Sequence, residues 1–77
     1  MAARDPDQMR LKLRQRLIAA RNAKGLTQAQ LAERLGRNQS FVSAYERGRD
    51  IELVEFLQIA EGLGLDAKAM LDELDEA

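Results

Sequence analysis

Two short helix patterns separated by a single glycine, within residues 27–48, constrain the fold of this chain most strongly. Thr27 is a good N-cap for the first helix, and Asn38 is a good N-cap for the second. Gly36 is expected to end the first helix, because the chain must then turn through a left-handed conformation that costs glycine little. The spacing predicts helices over residues 28–35 and 39–46, joined by a tight turn.

The second of these helices has an inward and an outward face. Phe41, Val42 and Tyr45 share one side of the helix, so we expect them to pack inward rather than to stack on bases. The opposite side carries mostly short or polar side chains, namely Gln39, Ser40, Ser43, Ala44 and Arg47. Gln can pair with an adenine edge, Ser can contact a base or a phosphate, and Ala can offer only a methyl group. The alternative interpretation is an ordinary solvated helix face.

Short sequence matches to a known family extend beyond these two helices. The matching residues are Lys24-Gly25-Leu26-Thr27-Gln28, Leu31-Ala32, Leu35-Gly36, Gln39-Ser40-Phe41-Val42-Ser43, Tyr45-Glu46-Arg47-Gly48, Leu57-Gln58-Ile59-Ala60 and Leu63-Gly64. At these residues the chain resembles the phage-repressor helix-turn-helix family of the Cro and cI, or XRE, type. The resemblance implies an all-α, compact five-helix, lambda-repressor-like DNA-binding domain whose helices 2 and 3 form the helix-turn-helix.

The resemblance implies roles for Gln28, Gln39 and Ser40, and placement around the second helix suggests roles for its other polar or small residues. The positions expected to read bases are Gln39, Ser40, Ser43 and Ala44. Those expected to bind phosphates are Gln28, Arg37, Asn38, Arg47 and Arg49, although the arginines could instead be simply solvated. Arg21 and Glu46 correspond to a partly buried ion pair that ties helix 1 to the reading helix. The implied function is a sequence-specific regulator, expected to be a repressor that binds a palindromic operator as a dimer.

The remaining residues complete one domain over 1–77. Asp5 and Pro6 are typical of a helix start, and they predict helix 1 from Pro6 to Lys24. Helix 4 is expected to begin at Asp50 or Ile51 and to be closed by Gly64. Asp66 should cap a fifth helix. The predicted apolar residues of helix 4 are Leu53, Phe56, Leu57, Ala60 and Leu63, and those of helix 5 are Ala67, Met70, Leu71 and Leu74.

Charge is divided unevenly between the two parts of the chain. Residues 1–49 hold eleven Lys or Arg against four Asp or Glu, which leaves +7, whereas residues 50–77 hold one Lys against nine acids, which leaves −8. A basic part that contains the helix-turn-helix pattern suits double-stranded DNA. The acidic C-terminal helices, over about 50–77, favour an alternative: an antitoxin-like or adaptor module that binds a basic protein partner.

Other function classes fit the composition poorly. The chain has neither His nor Cys, so it offers no imidazole base, thiolate nucleophile or usual zinc ligand, and we expect no enzyme, metal or cofactor. No apolar run approaches the roughly 18 residues of a membrane span, and we expect a cytoplasmic protein.

The apolar stripe of helix 5 is a candidate dimer interface. Ala67, Met70, Leu71 and Leu74 lie at helical spacing, and the reading helix must stay free for DNA. The alternative is that helix 5 closes the core of the monomer, with Leu71 the first candidate for a core position.

Overall fold

Five helices make up the chain in the computed structural model, which describes residues 5–75. They are α1 (Pro6–Ala23), α2 (Gln28–Leu35), α3 (Gln39–Glu46), α4 (Leu53–Gly62) and α5 (Ala67–Asp75). The described residues form no strand, and the prediction of an all-α fold is confirmed. The residues at the two ends, 1–4 and 76–77, include the predicted end of the acidic part and lie outside the described range.

Side chains at the starts of α1, α2 and α5 explain why these three helices begin where the sequence predicts. The Asp5 carboxylate accepts a hydrogen bond from the amide of Asp7 (2.9 Å), just before α1. At α2, Thr27 and Gln30 each accept from the other's backbone amide, at 3.0 and 2.9 Å. Asp66 accepts from the amides of residues 68 and 69 at the start of α5. Each bond satisfies an amide that has no partner inside its helix.

All five helices contribute to one core. Its buried side chains are Leu17 and Ala20 of α1, Leu31 and Ala32 of α2, Val42 and Tyr45 of α3, Phe56 and Ile59 of α4, Leu63 just after α4, and Met70 of α5. α3 packs against α1 and α2, whereas α4 packs against α2 and α5. The Leu35 side chain of α2 packs closely on Gly62 of α4, where a Cβ atom would lie 2.6 Å from Cδ2 of Leu35.

The start of α4 differs from the prediction. The helix begins at Leu53, and residues 49–52 form a non-helical connection instead of its first turn. The physical reason is local: the Glu55 carboxylate accepts from the amide of Glu52 at 3.0 Å, which places the cap at Glu52. Ile51 packs against the core from the connection.

The exposed and buried residues of α4 and α5 also correct the sequence analysis. Met70 is only 3% exposed and belongs to the core, which favours the alternative that helix 5 closes the monomer core and removes Met70 from the surface available for a dimer contact. Leu71, a candidate for the dimer contact and the first candidate for a core position under the alternative, is 46% exposed. Ala67 and Leu74 are half-buried. Met70 packs in the common core, and Arg16 of α1 donates a hydrogen bond to Glu73 of α5 at 3.0 Å.

Candidate nucleic-acid interface

The turn between α2 and α3 sets the direction of the second helix. Gly36 adopts the left-handed conformation, with φ 66° and ψ 31°. The amide of Arg37 then donates to the carbonyl of Ala32 at 2.9 Å, which closes the end of α2. Asn38 occupies the N-cap position of α3, but its side chain makes no capping hydrogen bond, contrary to the expected role. Its polar atoms therefore stay available at the start of α3.

The outward side of α3 is exposed where the sequence predicts base contacts. Gln39 and Ser40 are exposed, and Ser43 and Ala44, one turn later, are half-buried. Val42 and Tyr45 on the opposite side are fully buried, and the half-buried Phe41 meets the Tyr45 ring edge-on at 5.5 Å between centroids. Arg37, Asn38, Arg47 and Arg49 are exposed around this surface. The first turn of α3 is thus the part most open to a partner.

Glu46 joins the three helices behind this surface. Its carboxylate accepts from Nε of Arg21 at 2.8 Å and from Nη2 at 3.1 Å, so the ion pair is bidentate. The same carboxylate accepts from the amide nitrogen of Gln28 at 3.0 Å. Arg21 also donates to the carbonyl of Leu26 at 2.7 Å. Both charged side chains are largely buried, which makes this network a fixed brace between α1, α2 and α3.

The brace determines how Gln28 can act. One hydrogen of its amide nitrogen is used by Glu46, while the other hydrogen and the amide oxygen remain. The side chain is therefore oriented at the first turn of α2, where helix-end amides favour an anion. The hydrogen bond with Glu46 raises the pKa of Arg21 above its usual range, so this arginine stays charged at every relevant pH.

A second cluster surrounds the Phe41 ring. The guanidinium carbon of Arg37 lies 4.3 Å from the ring centroid, and that of Arg49 lies 5.4 Å from it. Arg49 also donates to both carboxylate oxygens of Glu55, at 3.3 and 3.1 Å. Arg37 approaches the same carboxylate at 3.8 Å. Two cations that flank α3 in sequence are thus gathered around one aromatic ring and one carboxylate.

Comparisons with known proteins agree with this geometry. The sequence family described as "Helix-turn-helix domain" matches residues 12–74. A solved "XRE-family like protein" from Pseudomonas syringae pv. tomato is 41% identical and superimposes with a TM-score of 0.86, over 90% of this chain and 85% of that one. The chain belongs to the XRE-type helix-turn-helix family.

Two further solved structures are similar to this XRE-type chain. The restriction-modification controller protein C.AhdI from Aeromonas hydrophila is 37% identical, with a TM-score of 0.76 over 87% of this chain and 99% of that one. A "hypothetical transcription factor" from Neisseria is 32% identical, with a TM-score of 0.74 over 92% and 82% of the two chains. No curated protein sequence matches significantly.

Membership in the XRE-type family decides the broad function. The chain is a DNA-binding transcription regulator and not an enzyme. Across residues 5–75, no helix combines the length and the apolar character that a bilayer span needs.

Glu55 is the functional candidate that sequence reasoning missed in this XRE-type domain. It is 5% exposed, and the hydrogen bonds from Arg49 and from the amide of Glu52 hold its pKa below the usual range. A sequence signal for it exists, since Glu55 precedes the core residue Ile59 by one helical turn. An acid at an inward position requires a cation nearby, and that requirement points to the arginines around α3.

Proposed function

We propose that the chain recognises one double-stranded DNA sequence by placing the outward face of α3 in the major groove. The observation that carries the proposal is the exposed pair Gln39 and Ser40 at the first turn of a helix braced from behind by Glu46. A reading helix must keep its orientation to discriminate bases, and the brace supplies that rigidity.

Roles for the surrounding residues follow from their placement on this surface. Gln39 and Ser40 would read base edges, with Ser43 and Ala44 closer to the helix flank. Around them, backbone phosphates would be bound by Gln28, Arg37, Asn38, Arg47 and Arg49. Phosphate contacts fix the register of the protein on DNA, whereas base contacts select the sequence. An operator that overlaps a promoter would be closed to polymerase, so the proposed effect on transcription is repression.

Specificity of this kind favours a dimer on a palindromic site, because one reading helix contacts only a few base pairs. The revised candidate for the contact is an apolar patch of exposed side chains on α4, formed by Leu53, Val54 and Leu57, with the exposed Leu71 of the neighbouring α5 as a further candidate. Leu53 and Val54 each lie within one turn of Leu57, so the three form neighbours on the helix surface. The proposed occupant is a second copy, since a two-fold contact here leaves α3 of both protomers free.

The acidic C-terminal part supports a protein partner less well. Glu55 is engaged by Arg49, and Glu73 is engaged by Arg16 on α1. These carboxylates neutralise cations within the domain, so they contribute little to an acidic surface that could attract a basic protein. DNA therefore remains the proposed partner.

Selection of bound duplexes from random DNA tests the proposal directly. A palindromic consensus is expected, with the log of the affinity falling against the log of salt concentration at a slope of about −5 or steeper for a dimer. The matched control is a scrambled duplex of the same composition. Equal affinity for the selected and the scrambled duplex, or a flat salt response, would contradict the proposed recognition.

A further inference from the structure

Glu55 lies at the start of α4 with only 5% of its surface exposed. Removing a carboxylate from water is costly unless several donors replace the water. Three hydrogen bonds do so here, two from Arg49 and one from the backbone amide of Glu52. The position of this side chain is therefore determined by its partners.

The two arginines around Glu55 differ in how many of their side-chain donors are already engaged in hydrogen bonds. Arg49 directs two nitrogens at the carboxylate and also donates to the carbonyl of Asp50 at 3.2 Å. Arg37 lies 3.8 Å from the carboxylate, beyond hydrogen-bond distance, and its side chain is 39% exposed. Its donors are directed to no hydrogen-bond partner among residues 5–75, so Arg37 keeps its capacity to bind an anion.

Phe41 fixes where that capacity lies. The Arg37 guanidinium stands over the ring at 4.3 Å, a favourable arrangement for a cation on an aromatic face. Phe41 belongs to the first turn of α3, and Arg37 comes two residues before that helix. The guanidinium is consequently held beside the start of the reading helix, where a DNA strand bordering the groove would pass.

Building on the proposed DNA-binding function, we propose that Glu55, fixed by Arg49, is a positioning residue that holds Arg37 over the Phe41 ring as a ligand for a DNA backbone phosphate. A guanidinium that is already ordered loses less conformational freedom when phosphate arrives. As a plain negative charge, Glu55 would repel DNA. The two roles therefore predict opposite effects when its charge is removed.

The substitution Glu55→Gln separates these roles. The glutamine keeps the size of the side chain and an oxygen for the amide of Glu52, but it loses the bidentate pairing with Arg49. Each phosphate contact contributes about 0.9 to the slope of log affinity against log salt. Losing one contact therefore lowers the affinity gained between 1 M and 0.1 M salt by about eightfold per protomer. We expect weaker binding and a salt slope that is shallower by about 1 per protomer.

Asp50→Asn is the matched control. It removes one negative charge from the connection that precedes α4, at an exposed carboxylate that pairs with Arg10 and holds neither Arg37 nor Arg49 through its side chain. We expect affinity equal to or tighter than that of the unaltered protein. Tighter binding by both variants, or equal weakening by both, would overturn the positioning role.

Arg49→Lys keeps the test decisive even if Glu55→Gln reduces folding, which thermal melting would reveal. Lysine retains the positive charge but cannot hold the carboxylate at two points, so the positioning role predicts the same shallower salt slope. Unchanged affinity in this folded variant would overturn the role. If the unaltered protein bound no duplex even at low salt, the proposed function itself would fail, together with the role that rests on it.

Discussion

Replacing Leu53 by serine tests the proposed dimer contact. Leu53 is 68% exposed and begins α4, so the change removes apolar surface without opening a cavity in the monomer. Full burial of a leucine side chain is worth about 1.5–3 kcal/mol, and the exposed fraction of Leu53 scales this to about 1–2 kcal/mol per protomer. Both protomers lose the contact, for a total of about 2–4 kcal/mol.

The measurement is the dissociation constant of the dimer by analytical ultracentrifugation. A loss of that size raises the constant about 30- to 700-fold. Thermal melting of the monomer should change little, since exposed substitutions usually alter stability by less than about 0.5 kcal/mol. Ala19→Ser, at an exposed position on α1, is the control and should leave both quantities unchanged. An unaltered dissociation constant in the Leu53 variant would refute the assignment of this patch.

Three further outcomes concern the reading surface and the core. Gln39→Ala should cost about 1–3 kcal/mol of binding free energy at the selected site and relax the preference at one or two base pairs. Arg47→Ala should weaken binding to all duplexes alike. If Gln39→Ala weakened binding to selected and scrambled DNA equally, base reading by Gln39 would be excluded. The pKa of Glu55 is lowered in the folded state, so its contribution to stability is present above the ordinary pKa of 4.5 and is lost as the pH falls through the folded-state pKa. When the free energy of unfolding is measured against pH in the acid range, Glu55→Gln should therefore show a flatter dependence than the unaltered protein. Parallel dependences would contradict this. Tyr45→Phe should leave stability unchanged or raise it by up to about 1 kcal/mol in thermal melting, because the buried hydroxyl has no hydrogen-bond partner among residues 5–75. A clear loss of stability would count against that account.

Local sequence signals predicted the helices well. Gly36 and Asp66 act through their own backbone and nearest amides, so their effects can be read from a few adjacent residues. The choice between Met70 and Leu71 as the core residue of α5 could not be read in this way. The two side chains differ by one step around the helix, and only the positions of α1 and α4 decide which one is covered.

Sequence reasoning predicted the exposed face of the site but not the contacts behind it. The outward face of α3 follows from periodicity, and its exposure in the structure agrees at Gln39 and Ser40. The contacts of Glu55 with Arg37 and Arg49 depend on the path of the connection between α3 and α4. That path was not predicted, because α4 begins later than its sequence pattern indicates. Contacts between residues that are distant in sequence carry no local signal of this kind.

The brace at Glu46 separates two tasks that many binding surfaces combine. Arg21 and Gln28 fix the orientation of α3 from behind, while the side chains of Gln39 and Ser40 make no hydrogen bond or ion pair within residues 5–75. Under the proposed base-reading role, substitution at those two positions would change the DNA sequence that is recognised without disturbing how the helix is presented. A scaffold with this division can acquire a new operator through one or two exposed replacements, so divergence in target preference need not be accompanied by any loss of folding stability.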